Sequence, residues 1–136
     1  MSNLEQTLSI IKPDAIERNL EKEIKNQFVH KGFKIVKEKK IMLEKSEAEE
    51  FYKVHQTKPF YNDLCEYLSS GPIVVMILEK ENAIGENRSL MGATNPKEAV
   101  DGTIRKKYGI SIDKNSVHGS DSSENAEKEI NFFFKN

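Results

Sequence analysis

The chain has 136 residues, of which 37% are hydrophobic and 32% are charged, and its formal net charge is −1. This length predicts a single domain over residues 1–136, and the near-neutral charge excludes a global attraction to nucleic acids or membranes, so any anion site must be local. The single cysteine, Cys65, excludes an intrachain disulfide. No apolar run is long enough for a signal peptide or a membrane span, and together these features predict a cytoplasmic protein.

Hydrophobic periodicity separates strands, in which apolar residues alternate or run together, from helices, in which they recur every three to four residues. The first half of the chain is predicted to form a strand at 4–11, a helix at 15–31 with Asn19 as the candidate break, a strand at 33–43, a helix from 46 and a helix at 60–68. A buried central strand at 73–78 and a helix at 81–91 follow, and then an irregular stretch at 92–108 with one helical turn at 96–100. The chain ends with weak alternation at 110–112, a short strand at 116–118 and a helix at 122–134. This order contains a βαββαβ core. It predicts an α+β, ferredoxin-like fold with an antiparallel sheet and helices packed on one face.

Cap and turn residues place several ends of these elements. Pro13 cannot donate to a strand ladder and ends the first strand. Ser46 begins a capping-box pattern, and Asp121 is the predicted N-cap of the last helix, with Glu124 three residues on. The long stretch at 92–108 is of the length at which loops in compact domains are often functional.

His118 lies among small and polar residues directly before the last predicted helix. Backbone N–H groups and the helix dipole favour anions at such a position, so the histidine could attack a phosphate or hold one. A lone histidine beside a helix cap is also commonly a surface or structural residue. Lys12, at the end of the first strand, is likewise either a cleft residue or a solvated lysine. Spacing alone leaves both roles open.

The segment Asn115-Ser116-Val117-His118-Gly119-Ser120-Asp121 resembles the signature of nucleoside diphosphate kinases, in which Asn, two residues, His, Gly or Ala, Ser and Asp recur. Other blocks resemble the same family in collinear order: Ile11-Lys12-Pro13-Asp14, Lys31-Gly32-Phe33, Ser70-Gly71-Pro72, Gly92-Ala93-Thr94-Asn95-Pro96 and Gly102-Thr103-Ile104-Arg105. The resemblance therefore covers essentially the whole chain. One heptad can match by chance, but several blocks in the correct order do not.

The resemblance implies a nucleoside diphosphate kinase that transfers the γ-phosphate of a nucleoside triphosphate, typically ATP, to nucleoside diphosphates by a ping-pong mechanism. It implies His118 as the nucleophile, which becomes phosphohistidine, and Lys12, Tyr52 and Glu129 as further catalytic residues. The residues that it implies for nucleotide binding are Lys12, Phe60, Leu64, Arg88, Thr94, Arg105, Ile112 and Asn115. Mg²⁺ is implied to arrive with the nucleotide phosphates, without a dedicated metal site in the protein.

The chemistry of these side chains suits the implied roles. Phosphoryl transfer needs positioning and charge neutralisation, and Lys12, Arg88 and Arg105 supply cations from separate segments. Phe60 can stack on any base without reading its hydrogen-bonding edge, which predicts low base selectivity. Each side chain also has a plainer structural role. Tyr52 suits a core, Phe60 can staple a helix, and the arginines can form surface ion pairs.

The resemblance also implies a homo-oligomer built from a common dimer, and a hexamer is favoured over a tetramer. The sequence departs from the family at Asp101, where proline is frequent, at Lys106-Lys107, where an acidic pair is frequent, and in ending at Asn136 without the C-terminal extension of many members. These departures bear on assembly rather than on activity. Two alternatives are a catalytically inactive nucleotide-binding relative, against which the intact site residues argue, and a nucleic-acid-binding protein, against which the neutral charge argues.

Overall fold

A four-stranded sheet organises the computed structural model, which describes residues 4–112 and 114–134. Its strands are β1 (Leu4–Ile11), β2 (Lys34–Ile41), β3 (Ile73–Glu81) and β4 (Val117–Gly119). The helices are α1 (Pro13–Glu17), α2 (Glu21–His30), α3 (Lys45–Phe51), α4 (Tyr61–Leu68), α5 (Ala83–Met91), α6 (Ile104–Tyr108) and α7 (Ser123–Phe134), with 3₁₀ turns at Lys53–His55 and Pro96–Glu98. The strand order is β2-β3-β1-β4 and every neighbouring pair is antiparallel. The predicted ferredoxin-like α+β fold is confirmed.

Helices cover both faces of the sheet, so the expectation of one covered face was wrong. Val74 and Met76 of β3 pack with α2 and α5 on one face, whereas Ile73 and Val75 pack with α3, α4 and α7 on the other. The βαββαβ core accounts for α2 and α5 only. The helices inserted between β2 and β3, and the last helix, bury the second face, which explains why β3 is apolar on both sides.

The stretch that was predicted to be irregular contains a short helix, and the weakly alternating residues after it form no strand. The stretch 92–108 contains α6, a helix too short for a periodic pattern, in which the Thr103 side chain accepts from the backbone N–H of Lys106 as N-cap. Residues 110–112 form no strand. The backbone N–H groups of Ile110 and Ser111 instead donate to the carbonyl oxygen of Lys114.

Two predicted helix caps were also misplaced. Helix α3 begins at Lys45, and its capping box joins Glu44 to Glu47 rather than starting at Ser46. Before α7, the hydroxyl of Ser122, not the carboxylate of Asp121, accepts from the backbone N–H of Asn125 at 3.1 Å. The break at Asn19 is confirmed, since its φ of 60° lies in the left-handed region, which interrupts a right-handed helix.

Within the described ranges, none of the helices combines the length and apolarity needed to cross a lipid bilayer. The longest described element, α7, has 12 residues, and four of them are charged. A bilayer-spanning helix needs about 20 mostly apolar residues.

Replacing Gly92 with alanine is expected to lower the free energy of unfolding by about 2–4 kcal/mol. Gly92 has φ 86° and ψ −178°, a region that is essentially restricted to glycine, and an added Cβ would lie 2.5 Å from Thr103 Oγ1. Gly102→Ala is the matched control, because φ is 92° there and a Cβ meets nothing within 4 Å. Urea denaturation should show the larger loss for Gly92→Ala, and equal losses would contradict the predicted clash.

Candidate active site

A cleft of about 1430 Å³ lies beside β4 and gathers side chains from separate parts of the chain. Its volume is ample for a ligand of nucleotide size. The predicted site residues that line it are Lys12, Tyr52, Phe60, Leu64, Arg88, Thr94, Arg105, Ile112, Asn115 and His118. The remaining predicted residue, Glu129, reaches the site by a hydrogen bond to His118. The fold thus brings together all the side chains that the sequence analysis singled out.

His118 lies in β4, opposite Ile10 of β1, and its side chain is 21% exposed. Its Nε2 is 2.9 Å from Oε1 of Glu129. An ionised carboxylate can only accept, so in the neutral imidazole Nε2 carries the proton and Nδ1 keeps a lone pair. Phe51 packs edge-to-face against the ring, with centroids 5.4 Å apart. The orientation and the tautomer of the imidazole are therefore both set by its neighbours.

Glu129 is itself held in place by Ser120, whose hydroxyl donates to the same Oε1 at 2.7 Å. The chain reverses between β4 and α7, and Phe133 of α7 packs into the core beneath the sheet. This reversal brings Glu129 back to the histidine eleven positions before it. Ser120 was not among the predicted site residues, although it lies inside the heptad around His118.

Lys12 and Asn115 form a buried polar pair at the end of β1. Lys12 Nζ donates to Asn115 Oδ1 at 2.9 Å. The amide nitrogen of Asn115 donates to the carbonyl oxygens of Thr94 and Ile112, each at 3.1 Å, which fixes the direction of the amide. The Lys12 ammonium lines the cleft, where it would attract a phosphate group.

Two arginines add positive charge to the cleft. Arg105 is buried and donates to the carbonyl oxygens of Gly92 and Val117 at 3.0 and 2.8 Å, while its Nε finds no hydrogen-bond partner among the described residues. Burial, and then the nearby charge of Arg88, lowers the pKa of Arg105 to about 10, so it stays protonated at neutral pH. Two cations that repel each other across a cleft favour an anion between them.

Phe60 provides an aromatic surface in the cleft. It is the residue before α4, rather than inside a helix, and it is 43% exposed. Leu64 lies one turn further along α4, and Ile112 lines the same cleft from a different segment. An exposed ring with aliphatic neighbours is what base stacking requires.

Tyr52 lies directly after α3 and is buried while still lining the cleft. Burial raises the pKa of its hydroxyl well above the usual range, and the negative charge of Glu129 acts in the same direction, whereas Arg105 acts in the opposite direction. The hydroxyl is therefore protonated at neutral pH. It can donate a hydrogen bond but cannot serve as a base there.

His55 and Asp121 are among the cleft residues that were not predicted as site residues. Nδ1 of His55 is buried without a hydrogen-bond partner among the described residues. Asp121 accepts from Asn125 Nδ2 at 2.6 Å, a hydrogen bond that lowers the pKa of its carboxyl group and keeps it ionised. The sequence feature that could have identified Asp121 as a site residue is its place in the heptad, four residues before Asn125. In the described part of the chain, no group of three or more His, Cys, Asp or Glu side chains could hold a metal ion.

A histidine of fixed tautomer facing buried cations, in a nucleotide-sized cleft, defines a phosphate-handling enzyme. A family model described as nucleoside diphosphate kinase matches residues 5–136. The nucleoside diphosphate kinases of Campylobacter curvus and Nitrosococcus oceani are each 57% identical to the chain, covering 96% and 97% of it and 96% and 92% of their own lengths.

Solved structures agree with these relatives. A crystal structure of the Aquifex aeolicus nucleoside diphosphate kinase matches with a TM-score of 0.95 and 41% identity, over 97% of this chain and 96% of that one. The apo enzyme of Encephalitozoon cuniculi matches with a TM-score of 0.94 and 39% identity, over 97% and 90%. The chain belongs to the nucleoside diphosphate kinase family. It is a phosphotransferase, and its family acts on nucleoside di- and triphosphates, as the sequence predicted.

Proposed function

We propose that the chain moves the γ-phosphoryl group of a nucleoside triphosphate, typically ATP, to a nucleoside diphosphate through a phosphohistidine at His118. The observation that carries this proposal is the 2.9 Å contact between Glu129 Oε1 and Nε2, which leaves Nδ1 as the nucleophile. Nδ1 attacks the γ-phosphorus, the bond to the β-phosphate oxygen breaks, and the diphosphate departs. The terminal phosphate oxygen of a second diphosphate then attacks the phosphorus, and the P–N bond breaks.

The other predicted residues stabilise charge and position the nucleotide. Lys12, Arg88 and Arg105 neutralise the phosphate oxygens, on which negative charge accumulates in the transition state. Thr94 donates a further hydrogen bond to the phosphates. Tyr52 is a protonated donor in the same cleft. Asn115 contacts the sugar beside the phosphates, while Phe60, Leu64 and Ile112 hold the base.

We propose that Mg²⁺ enters with the nucleotide, bound mainly by its phosphates. Mg²⁺ typically uses one or two protein carboxylates together with substrate phosphates and water. The ionised carboxylate of Asp121 lines the cleft and fits this arrangement. When bound, the ion neutralises phosphate charge.

We also propose a homo-oligomer, with a hexamer favoured over a tetramer. Several large apolar side chains are exposed in the single chain, among them Val29, Val100 and Ile110. Such side chains are expected at subunit contacts. Light scattering should give a mass near six times the 15.6 kDa of one chain. A monomer or dimer would contradict the assembly but not the chemistry.

We place the protein in the cytoplasm. Its one cysteine, Cys65, is a buried free thiol, which suits a reducing compartment. Cell fractionation checks this location.

The experiment that tests the reaction separates its two halves. The protein is incubated with ATP labelled at the γ-phosphate and Mg²⁺, freed of nucleotide, and assayed for acid-labile, base-stable phosphate. GDP or CDP is then added. Label that enters the protein at His118 and leaves as GTP or CTP supports the proposal. ATP binding without labelling would instead identify an inactive nucleotide-binding relative.

Replacing Phe60 with alanine is expected to weaken binding of purine and pyrimidine nucleotides alike. Loss of base stacking costs roughly 1–3 kcal/mol by analogy with single-stranded nucleic acid binders, or about 5- to 150-fold in Kd. Calorimetry with ADP, GDP and CDP measures it. Val54→Ala, at an 80% exposed position nearby in sequence, is the control and should change nothing. A loss confined to one base would contradict non-selective stacking.

A further inference from the structure

A buried hydrogen-bond cluster centred on Asp14 adjoins the phosphate side of the cleft, and the proposed mechanism does not use it. The Asp14 side chain is 3% exposed. Its carboxylate accepts from Arg18 at 2.9 Å, from the Ser116 hydroxyl at 2.8 Å and from the Tyr67 hydroxyl. One carboxylate therefore joins α1, α4 and the segment before β4.

Arg18 joins the cluster to Tyr108 and Ser116, which lie at the two ends of the segment that carries Ile112 and Asn115. Its Nη2 donates to the carbonyl oxygen of Tyr108 at 2.6 Å and to the Ser116 hydroxyl at 3.2 Å. Its Nε donates to the Asp14 carbonyl oxygen at 3.0 Å. A planar guanidinium can hold several acceptors in a fixed arrangement, which a lysine ammonium cannot reproduce.

One residue held by this cluster, Ser116, is in a strained conformation. Ser116 has φ 73°, a left-handed value that a residue with a side chain rarely adopts. Its carbonyl oxygen accepts from the backbone N–H of Lys12 at 2.8 Å. The strained residue thus lies between Asn115 and Lys12, whose side chains meet at 2.9 Å in the cleft. Without its side-chain contacts, Ser116 would be free to relax and move Asn115.

The cluster also reaches the base end of the cleft through α4. The Tyr67 hydroxyl donates to the Asp14 carboxylate and accepts from the Asp14 backbone N–H at 2.9 Å. Burial, and then the hydrogen bond to Asp14, raises the pKa of Tyr67, which keeps the hydroxyl protonated. Helix α4 carries Leu64 and directly follows Phe60. The segment that carries Asn115 and the helix that carries Leu64 are therefore both joined by hydrogen bonds to the Asp14 carboxylate.

We propose that Asp14 and Arg18 are positioning residues that hold the nucleotide-binding segments in their bound arrangement before nucleotide arrives. The inference rests on the proposed function, since it assigns a nucleotide to this cleft. His118 is held separately, by Glu129 and Phe51. Loss of the cluster should therefore weaken nucleotide binding much more than it slows phosphorylation of the histidine.

The test compares Arg18→Lys and Asp14→Asn with Lys25→Ala. Lys25 pairs with Glu21 at 2.9 Å in α2, with the same i,i+4 spacing as the pair formed by Arg18 and Asp14. Lys25 and Glu21 do not line the cleft. Calorimetry gives the Kd of ADP, which cannot phosphorylate the enzyme. Rapid quenching gives the rate of His118 labelling at saturating Mg-ATP. Thermal unfolding confirms that every variant is folded at the working temperature.

We expect the Kd of ADP to rise about tenfold in Arg18→Lys and Asp14→Asn, as when the competent arrangement falls to one-tenth of the population. The labelling rate at saturation should stay within about threefold of wild type, and Lys25→Ala should match wild type. An unchanged Kd would overturn the proposal, whether or not labelling slows. If Asp14→Asn does not fold, Tyr67→Phe, which removes only the hydroxyl, should still raise the Kd. Failure of the wild type to label would refute the phosphohistidine, whereas the Kd comparison would still decide the role of the cluster.

Discussion

The His118→Ala variant is expected to bind nucleotide and to transfer no phosphate. The imidazole is the only group to which the proposed mechanism assigns a covalent bond, so turnover should fall by a factor on the order of 10⁴ or more. The cations and the aromatic ring that hold the nucleotide are on other segments. The Kd of ADP should therefore change little. Labelling with γ-labelled ATP and a coupled assay of GTP formation measure the loss of transfer, and calorimetry measures the Kd of ADP.

His30→Ala is the matched control, since His30 is exposed at the end of α2 and does not line the cleft. It should label and turn over as the wild type does. Measurable, stoichiometric labelling of His118→Ala would show that another residue is the nucleophile. Loss of ADP binding together with labelling would show instead that the substitution damages the cleft as a whole.

The Glu129→Gln variant is expected to slow phosphorylation of His118 by roughly 10²- to 10³-fold while ADP binds normally. The glutamine amide can donate to Nε2, which stabilises the tautomer with its proton on Nδ1. That tautomer has no lone pair at the nitrogen that should attack. Single-turnover labelling measures the rate, and nitrogen-15 NMR of the histidine ring identifies the tautomer directly.

Glu127→Gln is the control for this effect, because it removes an exposed carboxylate from the same helix. It should leave both the rate and the tautomer unchanged. If Glu129→Gln labels as fast as the wild type, the carboxylate does not set the reactivity of the ring. An unchanged tautomer with a slow rate would point to a role in orientation alone.

Local sequence patterns specified much of the fold. The alternation in residues 4–11 predicted β1 with the bounds that the structure shows, and the apolar run at 73–78 predicted β3 as a buried central strand. Asn19 marked the break between α1 and α2. These features could be predicted from the sequence because strand alternation, helical spacing and positive φ are properties of neighbouring residues.

Features that depend on contacts between distant residues were predicted less well from the sequence. The second covered face of the sheet depends on where α3, α4 and α7 pack, which the order of elements does not state. Helix α6 has five residues and shows no period. The cap of α7 lies at Ser122 rather than Asp121, a choice between adjacent polar residues that packing decides.

The sequence alone determined the family and the set of side chains at the site, because the heptad around His118 and the collinear blocks are local strings. Only the tertiary structure decided how those side chains act together. The reversal before α7 brings Glu129 to the histidine, and the cluster around Asp14 joins segments that are about a hundred residues apart, as the separation of 102 between Asp14 and Ser116 shows. Hydrogen bonds between remote segments leave no period or spacing in the sequence, so the proton position on His118 and the fixing of Asn115 could be read only from the folded chain.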